Sequence, residues 1–362
     1  MIRHASSWGA LLAVSSGLFA LQCSLEGLGD GVRPSSQVDA GDAANDAKAP
    51  EAVFISGLPA PDELAIAPDF LYFTTARNGG MVERCPIRGC NGAPEPVSTA
   101  GQENPRGLSV GPSVVVGWAN FDSGDVMIAS LGTGASHWQE RPIARGQLSP
   151  AGMAVRENDV AVWTNSAAPT GTPVVANRIG MGAPIIALSR KAVKPGPIIV
   201  PRETKDVVWG DANGLSETTL GGDGTDGSGA CTFVASDAGV QSLVSSDSDP
   251  LALYWATSDG RILQTHRPDA LDALQNCRQS TVETMASGQG VIASVALDGA
   301  FVYFTVSNGE KGSLRRIQRS GTDVETLLDD LNDPRGIVVD DAYVYVVVRG
   351  DGTIRRLVRY GT

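Results

Sequence analysis

Apolar runs of six or seven residues recur along most of this chain, each closing on a bulky residue near small polar ones. They read FLYFTT (Phe70–Thr75), VVVGWAN (Val114–Asn120), VAVWTN (Val160–Asn165), DVVWGD (Asp206–Asp211), ALYWAT (Ala252–Thr257), FVYFTV (Phe301–Val306) and YVYVVV (Tyr343–Val348). Aligned on Phe73, Trp118, Trp163, Trp209, Trp255, Phe304 and Val346, they are spaced by 45, 45, 46, 46, 49 and 42 residues. Their length and their β-branched and aromatic content predict buried strands. A sustained period of this size predicts one small sheet per unit.

The rest of each unit can be placed around that strand. A first strand precedes it at Glu63–Ala67, Gly107–Gly111, Gly152–Arg156, Pro197–Pro201, Gln241–Ser245, Ile292–Ala296 and Gly336–Asp340. A turn rich in Gly, Asn and Asp follows it, as in Asp122-Ser123-Gly124, Ser258-Asp259-Gly260 and Gly350-Asp351-Gly352, where positive φ is needed. A third strand comes next, for example Met81–Ile87, Arg261–His266 and Leu314–Arg319. Six units then have an outer strand, at Glu95–Thr99, Glu140–Ala144, Ile185–Ser189, Thr232–Ser236, Val282–Ala286 and Val324–Leu328. The seventh lacks one, and residues 52–56 resemble the outer strand at Val282–Ala286. The expectation is an all-β, seven-bladed propeller with four-stranded antiparallel blades, with six or eight blades as the alternatives. Its ring is closed by strand 52–56 pairing with Ile354–Arg359.

The aromatic strand and the stretch LRRIQRSGTDVETLL, followed by DPRGIVVD, resemble the YWTD-like and NHL-like propeller repeats. The resemblance covers residues 51–362 and implies a propeller; YWTD propellers have six blades, against the seven units counted here.

Composition adds a compartment. The chain has 362 residues, a formal net charge of −12 and a pI near 4.7, a charge that repels nucleic acid. Residues 1–22 read as a signal peptide: a basic start, then an apolar run from Trp8 to Leu21 that would rise only about 21 Å as a helix. A span of the hydrocarbon core needs about 30 Å. Ala20-Leu21-Gln22-Cys23 resembles the lipobox of bacterial lipoproteins, with Cys23 the acylated residue, although that family prefers a small residue where Gln22 stands. Residues 23–50 hold little to bury and read as a disordered tether. The expected location is the outer membrane or periplasm of a Gram-negative bacterium, the lipid being the membrane contact; a secreted soluble protein is the alternative.

Four further cysteines in an exported chain suggest disulfides: Cys85 with Cys90 across a turn, and Cys231 with Cys277 between adjacent units. No metal ligand set and no cofactor is expected. Neither His137 nor His266 falls where propellers usually bind, and no nucleophile elbow or phosphate loop is present. Asp223 and Asp226 loosely resemble a calcium loop that lacks its closing Glu.

The candidate ligand positions precede or open the first strands. They are Gln102, Gln147 and Gln289 in repeated Gly-Gln pairs, and Arg106 and Arg335 in repeated Pro-Arg-Gly triplets. At a central funnel, amides and guanidiniums suit an acidic or sugar-like ligand. The same side chains would equally serve by bonding backbone of a neighbouring blade. Nine of the 28 Lys and Arg fall at or after Lys311, which suggests a basic surface or solvated strand edges. The expected function is a non-catalytic, monomeric, envelope-anchored module that binds a protein or carbohydrate partner. The alternative is a propeller enzyme similar to metal-dependent lactonases or streptogramin lyases, with Asp62, Glu63, Asn104 and Asp340 as its funnel candidates.

Overall fold

A computed structural model describes residues 51–67, 69–76, 79–90, 92–111, 114–131, 137–157, 159–168, 173–179, 184–221, 229–267 and 278–359. The leader, the tether, Cys23, Asp223, Asp226 and Cys277 lie outside these residues. The described residues form 28 strands in seven four-stranded antiparallel sheets. This is the seven-bladed propeller expected from the repeat.

The innermost strands, in blade order, are β2 (Pro61–Ala67), β6 (Pro105–Val110), β10 (Pro150–Arg156), β14 (Ile198–Ile199), β18 (Val240–Ser245), β22 (Ile292–Leu297) and β26 (Pro334–Val339). The second strands are β3 (Phe70–Thr75), β7 (Val115–Asn120), β11 (Val160–Asn165), β15 (Asp206–Asp211), β19 (Ala252–Thr257), β23 (Phe301–Val306) and β27 (Tyr343–Val348). Register repeats in six blades: Leu64, Met153, Ile198, Leu243, Val295 and Ile337 stand opposite Phe73, Trp163, Trp209, Trp255, Phe304 and Val346, while in blade 2 the register shifts between Arg106 and Ser109, across from Trp118.

The core is divided among the blade junctions. Seven apolar clusters each draw on two consecutive blades. In each, the register residue packs back on the preceding blade: Trp118 on Tyr72 and Val82, Trp209 on Val160 and Val162, Val346 on Tyr303 and Leu314. All seven register residues are at most 1% exposed, so the periodic signal in the sequence is the junction core itself.

The last junction closes the ring. β1 (Glu51–Ile55) pairs antiparallel with β28 (Thr353–Val358), Glu51 opposite Leu357 and Ala52 opposite Arg356, with a bulge between Val53 and Ile55. Closure thus occurs one residue earlier than the expected 52–56. Two strands are much shorter than the sequence suggests. The outer strand of blade 1 is only Glu95–Pro96, and the inner strand of blade 4 only Ile198–Ile199. Prolines limit both: Pro94 and Pro96 in the first, Pro195, Pro197 and Pro201 around the second, each lacking the N–H a ladder requires.

Cys85 and Cys90 form the expected disulfide, with Cα atoms 5.2 Å apart. Cys231 is also disulfide-bonded.

Candidate functional site

The seven inner strands surround a funnel of about 1170 Å³. Much of its wall is short or aliphatic: Leu64, Leu108, Ala151, Gly152, Ser242, Val244, Ala293, Ser294, Val338 and others. Charge is confined to the two ends. At the end where the inner strands begin, here the upper mouth, stand Arg106, Lys194, Arg335 and Arg349, with Asp62 and Glu63. At the lower mouth stand Asp247, Asp298, Asp340 and Asp341, with Arg359. The upper mouth is therefore the more cationic of the two.

The triplet Pro-Arg-Gly builds the upper mouth. Pro105 and Pro334 are buried where their strands begin, which turns the next side chain, Arg106 or Arg335, towards the funnel lining. The glycine permits contact between neighbouring inner strands. A Cβ on Gly107 would lie 2.6 Å from the Met153 nitrogen, and one on Gly336 would lie 2.8 Å from the Asp62 oxygen. The Arg106 guanidinium lies over the Phe121 ring, 4.1 Å from its centroid, and Nε donates to Asn104 at 3.4 Å. Arg335 is held more tightly, its Nε 2.9 Å from an Asp333 oxygen. Arg349 faces Asp62 at 3.6 Å.

The three glutamines do not line the funnel. Gln102 Oε1 accepts from Trp118 Nε1 and from Asn120 Nδ2, both at 2.9 Å. Gln147 Oε1 does the same for Trp163 at 3.1 Å and Asn165 at 3.0 Å. Gln289 Oε1 accepts instead from Arg315 at 2.8 Å, since blade 6 carries Phe304 where an indole would stand. The backbone N–H of each glutamine donates to a turn glycine of the preceding blade: Gly80, Gly124 and Gly260. Each Gly-Gln pair thus joins two blades.

The hydroxyl after the register residue also crosses junctions. Thr164 Oγ1 donates to the Gly196 carbonyl and Thr305 Oγ1 to the Arg335 carbonyl, both at 2.7 Å.

Glu63 is the exception among the inner-strand residues. Its Oε2 accepts from the Leu108 N–H of the next blade at 2.7 Å, and the Gly107 N–H also bonds the carboxyl. Burial in the funnel wall, with Asp62 as a further contribution, pushes its pKa up from 4.5 to about 7, while the two N–H groups and Arg106 act in the opposite direction. Asn104 stands outside the funnel lining, and Asp340 is committed elsewhere. One Asp340 oxygen accepts from the Ala342 and Tyr343 N–H groups and the other from the Tyr345 hydroxyl. Among the described residues, no group of three or more His, Cys, Asp or Glu is placed to hold a metal ion. Neither histidine lines the funnel, and His266 faces Asp249 at 3.2 Å.

Most basic residues of the last two blades are tied down. Arg316 pairs with Glu325, Arg355 with Glu51 and Asp351, and Arg359 with Asp298, while Arg319 donates to the Tyr254 hydroxyl and Arg356 lies over Tyr343. They stitch strands together rather than form a free basic surface. Sequence reasoning placed none of Phe121, Lys194 and Arg349 at the funnel, and counted Arg349 only among the basic residues of the last blades. The signal for two of them was positional: Phe121 and Arg349 stand three residues after the register residues Trp118 and Val346.

No protein-family model matches the chain, and no curated protein matches it. Solved structures do match. The virginiamycin B lyase of Staphylococcus aureus is 14% identical with a TM-score of 0.65, the match covering 86% of this chain and 99% of that one. The Swd1 (Cps50) propeller domain of Myceliophteria thermophila is 14% identical with a TM-score of 0.65, covering 86% and 100%. A chain of a nidogen/laminin complex, a YWTD-type propeller, is 17% identical with a TM-score of 0.52, covering 75% and 97%. At these identities the likeness is one of fold, and it extends to a lyase and to a chain of a nidogen/laminin complex alike.

Proposed function

We propose that this chain is a non-catalytic binding module that holds an acidic segment of a partner protein at the upper mouth of its funnel. The observation that carries this reading is the Arg106 guanidinium, spread on Phe121 at the mouth of a wall of short and aliphatic side chains. Such a cation is oriented in advance and can grip a carboxylate. Lys194 lines the funnel at the same end, and the loops leading into β10, β14 and β22 carry Leu148, Val193 and Val291, which are 52%, 46% and 60% exposed. A cationic centre with an apolar rim suits a protein segment better than a sugar. The module is exported, acylated at Cys23, carried on the 23–50 tether and monomeric in the envelope of a Gram-negative bacterium. The lipobox-like Ala20–Cys23 supports this.

The test is fluorescence anisotropy with the full mature chain and a labelled Leu-Glu-Leu-Glu-Leu peptide, against its Leu-Lys-Leu-Lys-Leu counterpart. The acidic peptide should bind in preference, and Arg106→Ala should weaken it about tenfold. Equal binding of the two peptides overturns the reading. Preference for a glucuronate oligosaccharide would make the partner a carbohydrate. Labelled palmitate should enter the wild type and not Cys23→Ala.

A second reading, a propeller hydrolase or lyase, is favoured by Glu63, whose pKa near 7 suits a general acid or base.

A further inference from the structure

Seven nearly equivalent strands build the funnel wall, so a departure from equivalence is informative. On six inner strands the residue just before the register partner is Glu63, Gly152, Pro197, Ser242, Ser294 and Gly336, and the seventh has Gly107 within its register shift. Five of these seven are glycine or serine and one is proline. Ser242 uses its hydroxyl to accept from the Val295 N–H of the next blade at 3.0 Å. Glu63 accepts from the matching N–H, that of Leu108, but with a carboxyl. A serine would satisfy that N–H, as Ser242 does, whereas the carboxyl takes the Gly107 N–H as well. The carboxyl also lines the funnel, next in sequence to Asp62 and close enough to feel the charge of Arg106.

We propose that Glu63 and Arg106 together form a carboxylate subsite, in which Glu63 binds the partner's carboxylate in its protonated form, so that capture takes up one proton. This rests on the reading of the mouth as an acidic-segment site. Oε2 is engaged by the Leu108 N–H and stays the carbonyl-like oxygen. In the neutral acid the proton sits on the other oxygen, which donates to the incoming carboxylate. An ionised Glu63 would repel the same group. No bond to carbon forms or breaks; one proton passes from solvent to Glu63 as the anion binds. The carboxyl's position near 7 makes this exchange accessible close to neutral pH.

The charged groups around Glu63 leave it as the proton acceptor. Asp62 on its own strand faces Arg349, which follows β27. Arg106 comes from β6, and Arg335 from β26 pairs with Asp333. β3 presents no charged residue. The guanidiniums do not titrate.

The experiment titrates the full mature chain with the Leu-Glu-Leu-Glu-Leu peptide at pH 6 and pH 8, calorimetrically, in two buffers of different ionisation enthalpy. With a group near 7, wild-type affinity should fall about tenfold from pH 6 to pH 8, with net proton uptake approaching one at pH 8. Glu63→Gln keeps an acceptor for Leu108 and a donor for the ligand. It should bind within about threefold of the wild type at pH 6, with no pH dependence and no uptake. Binding that is equally tight at both pH values, or a Glu63→Gln protein that keeps the tenfold fall, overturns the proposal and leaves the binding module standing. Absence of binding at either pH removes the functional reading, and this one with it. The uptake measured on the wild type needs no variant, so a folding defect in Glu63→Gln would not rescue the idea.

Discussion

Blades 2 and 3 and blades 4 and 5 carry the same residue, tryptophan, at the same register position, and treat its polar edge differently. In the first pair Gln102 and Gln147 each accept from an indole N–H and from an asparagine two residues further on. In the second pair no glutamine precedes the inner strand, and the Trp209 and Trp255 Nε1 atoms have no hydrogen-bond partner among the described residues. Stitching between blades 4 and 5 comes instead from Arg267. It is 0% exposed, with Nη1 2.8 Å from Glu217, 3.0 Å from Asp206, and its other nitrogens near the Pro250 carbonyl. The apolar junction is repeated seven times; the polar part is solved locally, by neutral amides in one place and by buried ions in another.

The buried ions should be the more fragile solution. Arg267→Met would leave Asp206 and Glu217 buried without their cation, and a loss of about 3–5 kcal/mol is expected by denaturant unfolding. A loss under about 1 kcal/mol would mean the cluster contributes little and the two junctions are alike. Gln102→Leu removes the acceptor of two buried donors and should cost about 2 kcal/mol. The indoles give a finer comparison. Trp163→Phe deletes a bonded N–H and Trp209→Phe an unbonded one, so the first should cost about 1 kcal/mol more than the second. Equal costs would show that the amide clamp is incidental.

The smallest effect is on pH dependence. Burial raises the Glu217 carboxyl above its ordinary 4.5, against the pull of Arg267. The folded chain then holds more protons than the unfolded one as pH rises above 4.5, so this group's contribution to stability declines with rising pH. Glu217→Gln should flatten the melting temperature against pH above 4.5, whereas Gln147→Leu should shift the curve without changing its slope.

How much of this was legible follows from where each signal resides. The fold was readable because the register residues are buried identically in every blade, and burial imposes a residue type. Blade 4's inner strand and blade 1's outer strand were overestimated because apolar content was weighed above the prolines in and around them. Arg106 and Arg335 were found at the funnel because the preceding proline and following glycine repeat with them. The glutamines were misleading as ligand candidates: their partners Trp118 and Trp163 lie sixteen residues downstream, a spacing that repeats with the asparagines and could have been read. Phe121 and Arg349 share a position, three residues after a register residue, but not a residue type, and Lys194 has neither, so no repeated residue marked them. Glu63 was visible as a carboxylate, but its role depends on a backbone N–H 45 residues away.

The pairing of β1 with β28 also sets a timetable. Glu51 and Arg355, joined at 2.8 Å, are 304 residues apart in the chain. At about 5–20 residues per second a ribosome needs roughly 15–60 s to deliver the second after the first. For that interval β1 is a strand without a sheet, and it is built to wait: five residues long, begun by a glutamate and bulged between Val53 and Ile55. Blade 1 has four strands of its own, but the junction that holds Phe73 cannot be buried until Tyr345 and Ile354 have been made. The contact that closes the ring therefore waits for β28, although it involves the first of the described strands to be synthesised.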